Sequence, residues 1–212
     1  RSYRKFLPYG YGTQRENALS PGTLSLERHR QMFLYLQNET EFFTRNYKVL
    51  HIAPEQEFLR KFKKMKNLEY ISADLFSPIV DVKADILDLP FADESFDIIF
   101  CNHVLEHIQD DAKAMSELYR VMRPGGWGIL QVPMKNSLEK TYEDFTITDP
   151  KERQKHFGQY DHVRWYGIDY FDRLKEAGFE TEINFYSQQF SDEEINKYGL
   201  RKNEILPIVL KK

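Results

Sequence analysis

An α/β fold built on a parallel sheet is what this sequence predicts, and three observations predict it. Between Tyr47 and Val132, short apolar runs alternate with helix-period segments in the βαβ manner. Four of the runs end in short polar tips: HIAPE after Val49-Leu50, SADL after Tyr70-Ile71, ADILDLPF around Asp85, and CNHVLEHI after Ile98-Ile99-Phe100. In an open α/β sheet a ligand occupies the crevice outside the carboxyl ends of the strands, so residues that read a cofactor follow the apolar runs, as these do. Third, 212 residues with 41% hydrophobic and 15% aromatic content suffice for one core with additions.

The elements follow in chain order. Residues 1–24 mix aromatics with Pro8, Gly10, Gly12, Pro21 and Gly22 without a sustained period, which reads as an irregular arm. From Thr23 or Ser25 to about Thr44, Leu26, Met32, Phe33, Leu36 and Phe43 recur at helical spacing, with Ser25 as N-cap. Residues 1–46 thus form an arm and helix, and 47–212 the main domain. Strands are expected near Tyr47–Ile52, Leu68–Ala73, Asp81–Ala84, Phe96–Cys101 and Gly128–Val132, and helices near Gln56–Met65 and Asp110–Met122. Asp110 or Asp111 caps the second helix, and Pro124-Gly125-Gly126 ends it. About residues 135–167 the chain turns polar, aromatic and weakly periodic, as a lid or binding loop does. A helix near Asp169–Ala177 and strands near Phe179–Tyr186 and Glu204–Leu210 close the chain.

Composition excludes several function classes. A formal net charge of −3 supplies no broad cationic field, so sequence-independent nucleic-acid binding is not expected. The basic run Arg60, Lys61, Lys63, Lys64, Lys66 reads as a solvated helix face. Cys101 is the only cysteine, which excludes an internal disulfide and fits a reducing, cytoplasmic setting. No stretch reaches the roughly 20 apolar residues of a membrane span.

VLHIAPE, YISADL, ADILDLPFADESFDIIFCNHVLEHI and LYRVMRPGGWGILQVP together resemble class I S-adenosylmethionine-dependent methyltransferases, especially the type 11 group, over Val49 to Pro133. The resemblance implies a Rossmann-like seven-stranded sheet, mostly parallel, with helices on both faces and the last strand antiparallel. It also implies S-adenosylmethionine as cofactor. Carried over by position, Asp74 with Leu75 holds the ribose, since a carboxylate accepts from both hydroxyls of a diol. Asp85 accepts from the adenine amino group, beside Ile86 and Leu87. Asn102 and His103 hold the methionine part and face the acceptor, whereas Glu106 and His107 read as structural.

The first tip departs from the family, which carries an acid and a glycine-rich turn where this chain has His51-Ile52-Ala53-Pro54-Glu55. S-adenosylmethionine has no phosphate, so the demand for close backbone approach is softer than in a dinucleotide site. Ala53 is small, Pro54 starts a helix and Glu55 pairs with the ammonium in this reading. The missing glycines also exclude a nicotinamide dehydrogenase.

A methyl already activated on a sulfonium needs positioning and, for a protonated nucleophile, a base. His162 is the first candidate base, with His103 as the second. Tyr142, Glu143, Tyr160, Arg164 and Tyr166 are expected to bind substrate, although Asp161, His162 and Arg164 equally suit a network fastening the lid. SLERHR, residues 25–30, is similar to a stretch that follows Cys-x-x-Cys in related methyltransferases, but Ser20-Pro21-Gly22-Thr23 offers no thiolate. No metal is therefore expected. The expected acceptor is a small molecule. A non-catalytic cofactor-binding or interaction module is the alternative, and a protein or RNA acceptor fits the acidic balance less well.

Overall fold

In the computed structural model, residues 5–10 and 14–212 are described. The chain runs through β1 (Leu7–Tyr9), β2 (Arg15–Leu19), α1 (Glu27–Asn38), β3 (Tyr47–Ile52), α2 (Gln56–Phe62), β4 (Leu68–Asp74), β5 (Val82–Lys83), β6 (Phe96–Cys101) and α3 (Asp111–Val121). It continues with β7 (Met122–Ile129), β8 (Tyr142–Glu143), α4 (Pro150–Phe157), β9 (Arg164–Trp165), α5 (Tyr170–Glu176), β10 (Glu180–Asn184), α6 (Asp192–Tyr198) and β11 (Leu206–Leu210).

Seven strands form the central sheet in the order β10-β11-β7-β6-β3-β4-β5. β3 pairs parallel with both β4 and β6, while β11 runs antiparallel between β7 and β10. The expected mostly parallel sheet with an antiparallel last strand is therefore present. Alternation along β3 explains the two-sided core. Val49 packs with Leu36, Phe58, Phe62 and Phe100 against α1 and α2, whereas Leu50 and Ile52 pack with Met115, Leu118, Phe171 and Leu174 against α3 and α5. Chain order reverses between β3 and β6, the switch point at which such sheets take their ligands.

Several local expectations are corrected. The arm is not irregular throughout, since β1 and β2 form a small antiparallel ribbon; residues 1–4 and 11–13, Gly12 among them, lie outside the described residues. Leu26, not Ser25, is the N-cap of α1, because the His29 side chain folds back to take the Leu26 N–H at 3.2 Å. That helix stops at Asn38 rather than near Thr44. Pro124-Gly125-Gly126 lies inside β7 rather than between helix and strand, with Gly125 at φ +77° where the pairing with β6 shifts register. Two short helices went unforeseen despite clear end signals. Asp149 caps α4 ahead of Pro150, and left-handed Gly158 ends it. Ser191 and Glu194 form the capping box of α6.

Candidate functional site

The four tips meet along the carboxyl edge of the sheet. On the outer side, Asp74 Oδ1 accepts the N–H groups of Phe76 and Ser77 at 2.7 and 2.6 Å. Asp85 Oδ1 accepts from Leu87 N–H at 2.9 Å. Each carboxylate thus stiffens its own turn with one oxygen and presents the other outward. Leu75 is partly exposed, and the side chains of Ile86 and Leu87 pack into the core, leaving only their backbone for a ligand.

Two non-glycine residues at the switch point are held left-handed, Ala53 at φ +44° after β3 and His103 at φ +56° after β6. That conformation disfavours residues with a Cβ and recurs where a site dictates the backbone. Both are pinned across the sheet edge, Ala53 N–H to Ala73 O of β4 at 2.8 Å and His103 N–H to Gln131 O just beyond β7 at 2.7 Å.

Glu55 does not project free toward an ammonium as expected. A carboxylate only accepts, so His51 Nε2–H donates to Glu55 Oε2 at 3.1 Å while His51 Nδ1 meets the Tyr70 hydroxyl at 2.9 Å. Burial opposes the charge on Glu55, yet the His51 hydrogen bond and the charges of His51 and His29 together outweigh it and bring its pKa down to about 2. His29 Nε2 stands 3.8 Å from the other oxygen. Burial, reinforced by the charge of Arg28, pushes the His29 pKa down to about 4. His51 is fully buried beneath the tip rather than facing the crevice. Asn102 is likewise turned inward, donating to Met32 Sδ and accepting from Gln131 N–H, both at 3.4 Å.

Beside His103, over the ends of β6 and β7, opens a cavity of about 450 Å³. Val132, Pro133, Met134, Trp165 and Ile205 supply its apolar wall, and Arg15, Glu27, Arg28, Lys135, Arg201 and Glu204 its charges. Arg15 pairs with Glu27, and Arg201 with Glu204. Arg28 and Lys135 form no ion pair among the described residues; Lys135 Nζ stacks 4.5 Å from the centre of the Trp165 ring, and Arg28 Nε is buried without a hydrogen-bond partner. Sequence reasoning passed over Lys135 and Trp165, and for Arg28 and Arg30 it weighs helix-surface contacts above a place at the cofactor or substrate entrance. Arg30 is structural, donating to the carbonyls of Ala18, Ser25, Tyr198 and Gly199.

Three expected substrate residues are corrected to a fastening role. Arg164 is fully buried and donates to Leu105 O, Ile108 O, Gln109 O and Glu143. Glu143 also holds Arg173, and the Tyr166 hydroxyl donates to Asp111 at 2.7 Å. With every charge satisfied internally, Glu143, Arg164 and Tyr166 bolt the lid to the turn after β6. Tyr142 is bound to His156 at 2.7 Å, and Tyr160 is exposed; neither lines the cavity. His162, the first candidate base, is 7% exposed and also absent from the cavity wall. Burial lowers its pKa, with Glu106 acting in the opposite sense.

Glu106, read from sequence as structural, sits among these histidines. It is fully buried, with His103 Nδ1 at 3.2 Å and His162 Nε2 at 4.0 Å from Oε1, and yet neither carboxylate oxygen has an aligned hydrogen bond. Burial favours its protonation, but His103 and His107 outweigh this and hold its pKa below the ordinary glutamate value. The signal in the sequence was its place one turn beyond a strand tip, which did not separate a pocket residue from a helix cap.

Residues 34–130 match the model of a family described as a methyltransferase domain. The chain is 29% identical over 106 residues to a probable S-adenosylmethionine-dependent methyltransferase of Mycolicibacterium smegmatis, covering 50% of this chain and 37% of that protein. It is 31% identical over 95 residues to a ubiquinone/menaquinone biosynthesis C-methyltransferase of Klebsiella pneumoniae, covering 43% and 34%. The chain thus spans little more than a third of the length of these curated relatives. Among solved structures, it is similar to an S-adenosylmethionine-dependent methyltransferase from Archaeoglobus fulgidus at a TM-score of 0.54 and 18% identity, over 90% of this chain and 96% of that one. That likeness concerns the fold.

Proposed function

We propose that this chain, a member of the class I S-adenosylmethionine-dependent methyltransferases, binds its cofactor along the tips of β3 to β6 and methylates a small anionic molecule held beside His103. The observation that carries the reading is the pair of left-handed non-glycine residues, Ala53 and His103, flanking the switch point, with the Asp74 and Asp85 carboxylates on the adenosine side.

The residues present fit S-adenosylmethionine. Asp74 and Asp85 each keep one oxygen for hydroxyl or amino donors. Glu55 is taken by His51, so the charged group suited to the methionine end is Arg28, whose buried unpartnered Nε matches a carboxylate. When bound, S-adenosylmethionine supplies a methyl group already activated on a sulfonium. Val132, Pro133, Met134 and Ile205 exclude water around the acceptor, and Lys135, with no ion-pair partner among the described residues, attracts an anionic one. His103 replaces His162 as the group placed to take a proton from the nucleophile, because it reaches the cavity while Glu106 stands behind Nδ1.

Thermal unfolding with S-adenosylmethionine and with S-adenosylhomocysteine tests binding. Ligand at about 100 times its dissociation constant adds roughly 2.7 kcal/mol, a rise of about 5 to 10 °C for a chain of this size. A following screen for mass gain of 14 Da, about one methylene, in an anionic metabolite pool tests transfer. The internal pairing of Glu55 and the glycine-free turn favour one second reading, a non-catalytic interaction module, and an absent shift at millimolar cofactor selects it.

A further inference from the structure

Glu106, His107 and His162 offer ligand atoms that lie within 4.8 Å of one another, a carboxylate and two imidazoles from two separate segments of the chain. Glu106 and His107 come from the short 3-10 turn after β6, and His162 from the lid between α4 and β9. The fully buried Glu106 carboxylate has no hydrogen-bond partner on either oxygen, an arrangement a buried anion tolerates only with a positive partner. His103 Nδ1 approaches Oε1 at 3.2 Å, and Oε2 has no hydrogen-bond partner among the described residues.

The histidine opposite is set up in the complementary way. A carbonyl only accepts, so His162 Nδ1–H donates to Phe157 O at 3.1 Å, and in the neutral ring Nε2 keeps its lone pair. That lone pair stands 4.0 Å from Glu106 Oε1. Two acceptors face each other with no proton between them, and a ring N–H bound to a backbone carbonyl is the usual orientation device of a metal-ligating histidine. His107 packs edge-on against His162, with ring centres 4.8 Å apart, and its Nδ1 lies 3.4 Å from Asp161 Oδ2. Asp161 can orient His107 in the same manner.

We propose that Glu106, His107 and His162 bind a divalent transition-metal ion, of the Zn²⁺ class, that ties the lid to the turn after β6. Mixed imidazole and carboxylate ligation suits such an ion, and three protein ligands leave a coordination position open. Bonds of about 2.0–2.2 Å place ligand atoms about 3–3.5 Å apart. Binding therefore draws the partly exposed His107 inward by side-chain rotation and shortens the 4.0 Å separation of Glu106 Oε1 and His162 Nε2 by about 0.5–1 Å. The missing thiolates at Ser20 to Thr23 had removed only a cysteine site from consideration; they say nothing about this one. The proposal is independent of cofactor binding and of methyl transfer.

The test uses the whole chain, stripped with a chelator and titrated with Zn²⁺ alone by calorimetry and with Co²⁺ alone by visible absorption. One equivalent per chain is expected, with d–d bands of a low-symmetry nitrogen and oxygen site and a raised unfolding midpoint. His107→Gln, at a partly exposed position, and Glu106→Gln, which keeps the side-chain volume, each lower affinity at least tenfold. His156→Gln, at an exposed lid histidine outside the cluster, leaves it unchanged. Zn²⁺ also slows proteolysis within residues 144–161 in the parent chain and not in the His107 variant. Absence of stoichiometric uptake by folded chain overturns the proposal. Equal binding by the His107 and Glu106 variants, or equal loss in the His156 variant, overturns it as adventitious histidine binding.

Discussion

The two halves of the sheet's carboxyl edge are built on opposite electrostatic plans. On the β4–β5 side, Asp74 and Asp85 are turn residues with one oxygen engaged and one offered outward. On the β6–β7 side, charges are interlocked over long sequence separations, as in the five acceptors of Arg164, and yet Glu106 is buried without an aligned partner among the described residues. In the proposed function the first plan serves the cofactor with little machinery, and the second fastens a lid beside the polar cavity proposed for the acceptor.

The comparison breaks most sharply at Arg164. Removing one member of a buried, hydrogen-bonded ion pair costs about 3–5 kcal/mol, so Arg164→Ala should lose about that much in urea unfolding. Lysine should not rescue it, because a single ammonium cannot serve Leu105 O, Ile108 O, Gln109 O and Glu143 together. A change under about 1 kcal/mol would place Arg164 back among the substrate residues, where surface-like contributions are the rule.

That residue also shows what the sequence could and could not disclose. Strand β6 was legible to its ends because Phe96–Cys101 is apolar except at Asp97 and buried at every position, and Asp74 and Asp85 were legible because tip residues follow such runs. Arg164 lies in a polar aromatic stretch whose local pattern is that of a surface loop; its burial is created by carbonyls more than 50 positions away. The same holds for Glu106, whose neighbours His103 and His107 are local but whose third histidine arrives only when the lid folds. Local pattern fixes strands and their tips, whereas charge complementarity across a folded insertion leaves no periodic trace.

Next in size is a pH effect on the inner side of the first tip. Folding lowers the pKa of His29 from about 6.5 to about 4, so the unfolded chain binds the proton first as pH falls. Stability present above pH 6.5 should decline by roughly 3 kcal/mol on going down to pH 4. Glu55, lowered to about 2, adds a further loss below about pH 4.5. Urea unfolding from pH 7 to 4 measures the slope, and His29→Gln should flatten its upper part. An unchanged slope would mean that His29 is solvated and that the tip is looser than Glu55 and His51 make it.

On the cofactor side, Asp74→Asn separates turn from ligand. The amide oxygen still accepts from Phe76 and Ser77, so stability should stay within about 0.5 kcal/mol. Loss of the charged acceptor for the ribose should weaken S-adenosylhomocysteine binding by about 1.5–3 kcal/mol, roughly 10- to 150-fold in calorimetry. Equal affinity in both proteins would reduce Asp74 to the turn it visibly stabilises.

The smallest effect concerns Ala53, in the glycine-free turn after β3. A left-handed conformation costs an L-residue about 1–2 kcal/mol, and glycine's greater freedom in the unfolded chain takes back about 0.5–1 kcal/mol. Ala53→Gly should therefore gain about 0.5 kcal/mol in urea unfolding, since φ is already +44° and no other atom need move. The accompanying change in cofactor affinity is the sharper reading. If the alanine methyl merely fills space above Ala73, affinity stays constant while stability rises. If the strain holds Glu55 and His51 clear of the crevice, relaxing it lets the tip spread its conformations, and affinity falls as stability increases. Opposite signs in one variant would show that the glycine-free turn is maintained for the ligand rather than for the fold.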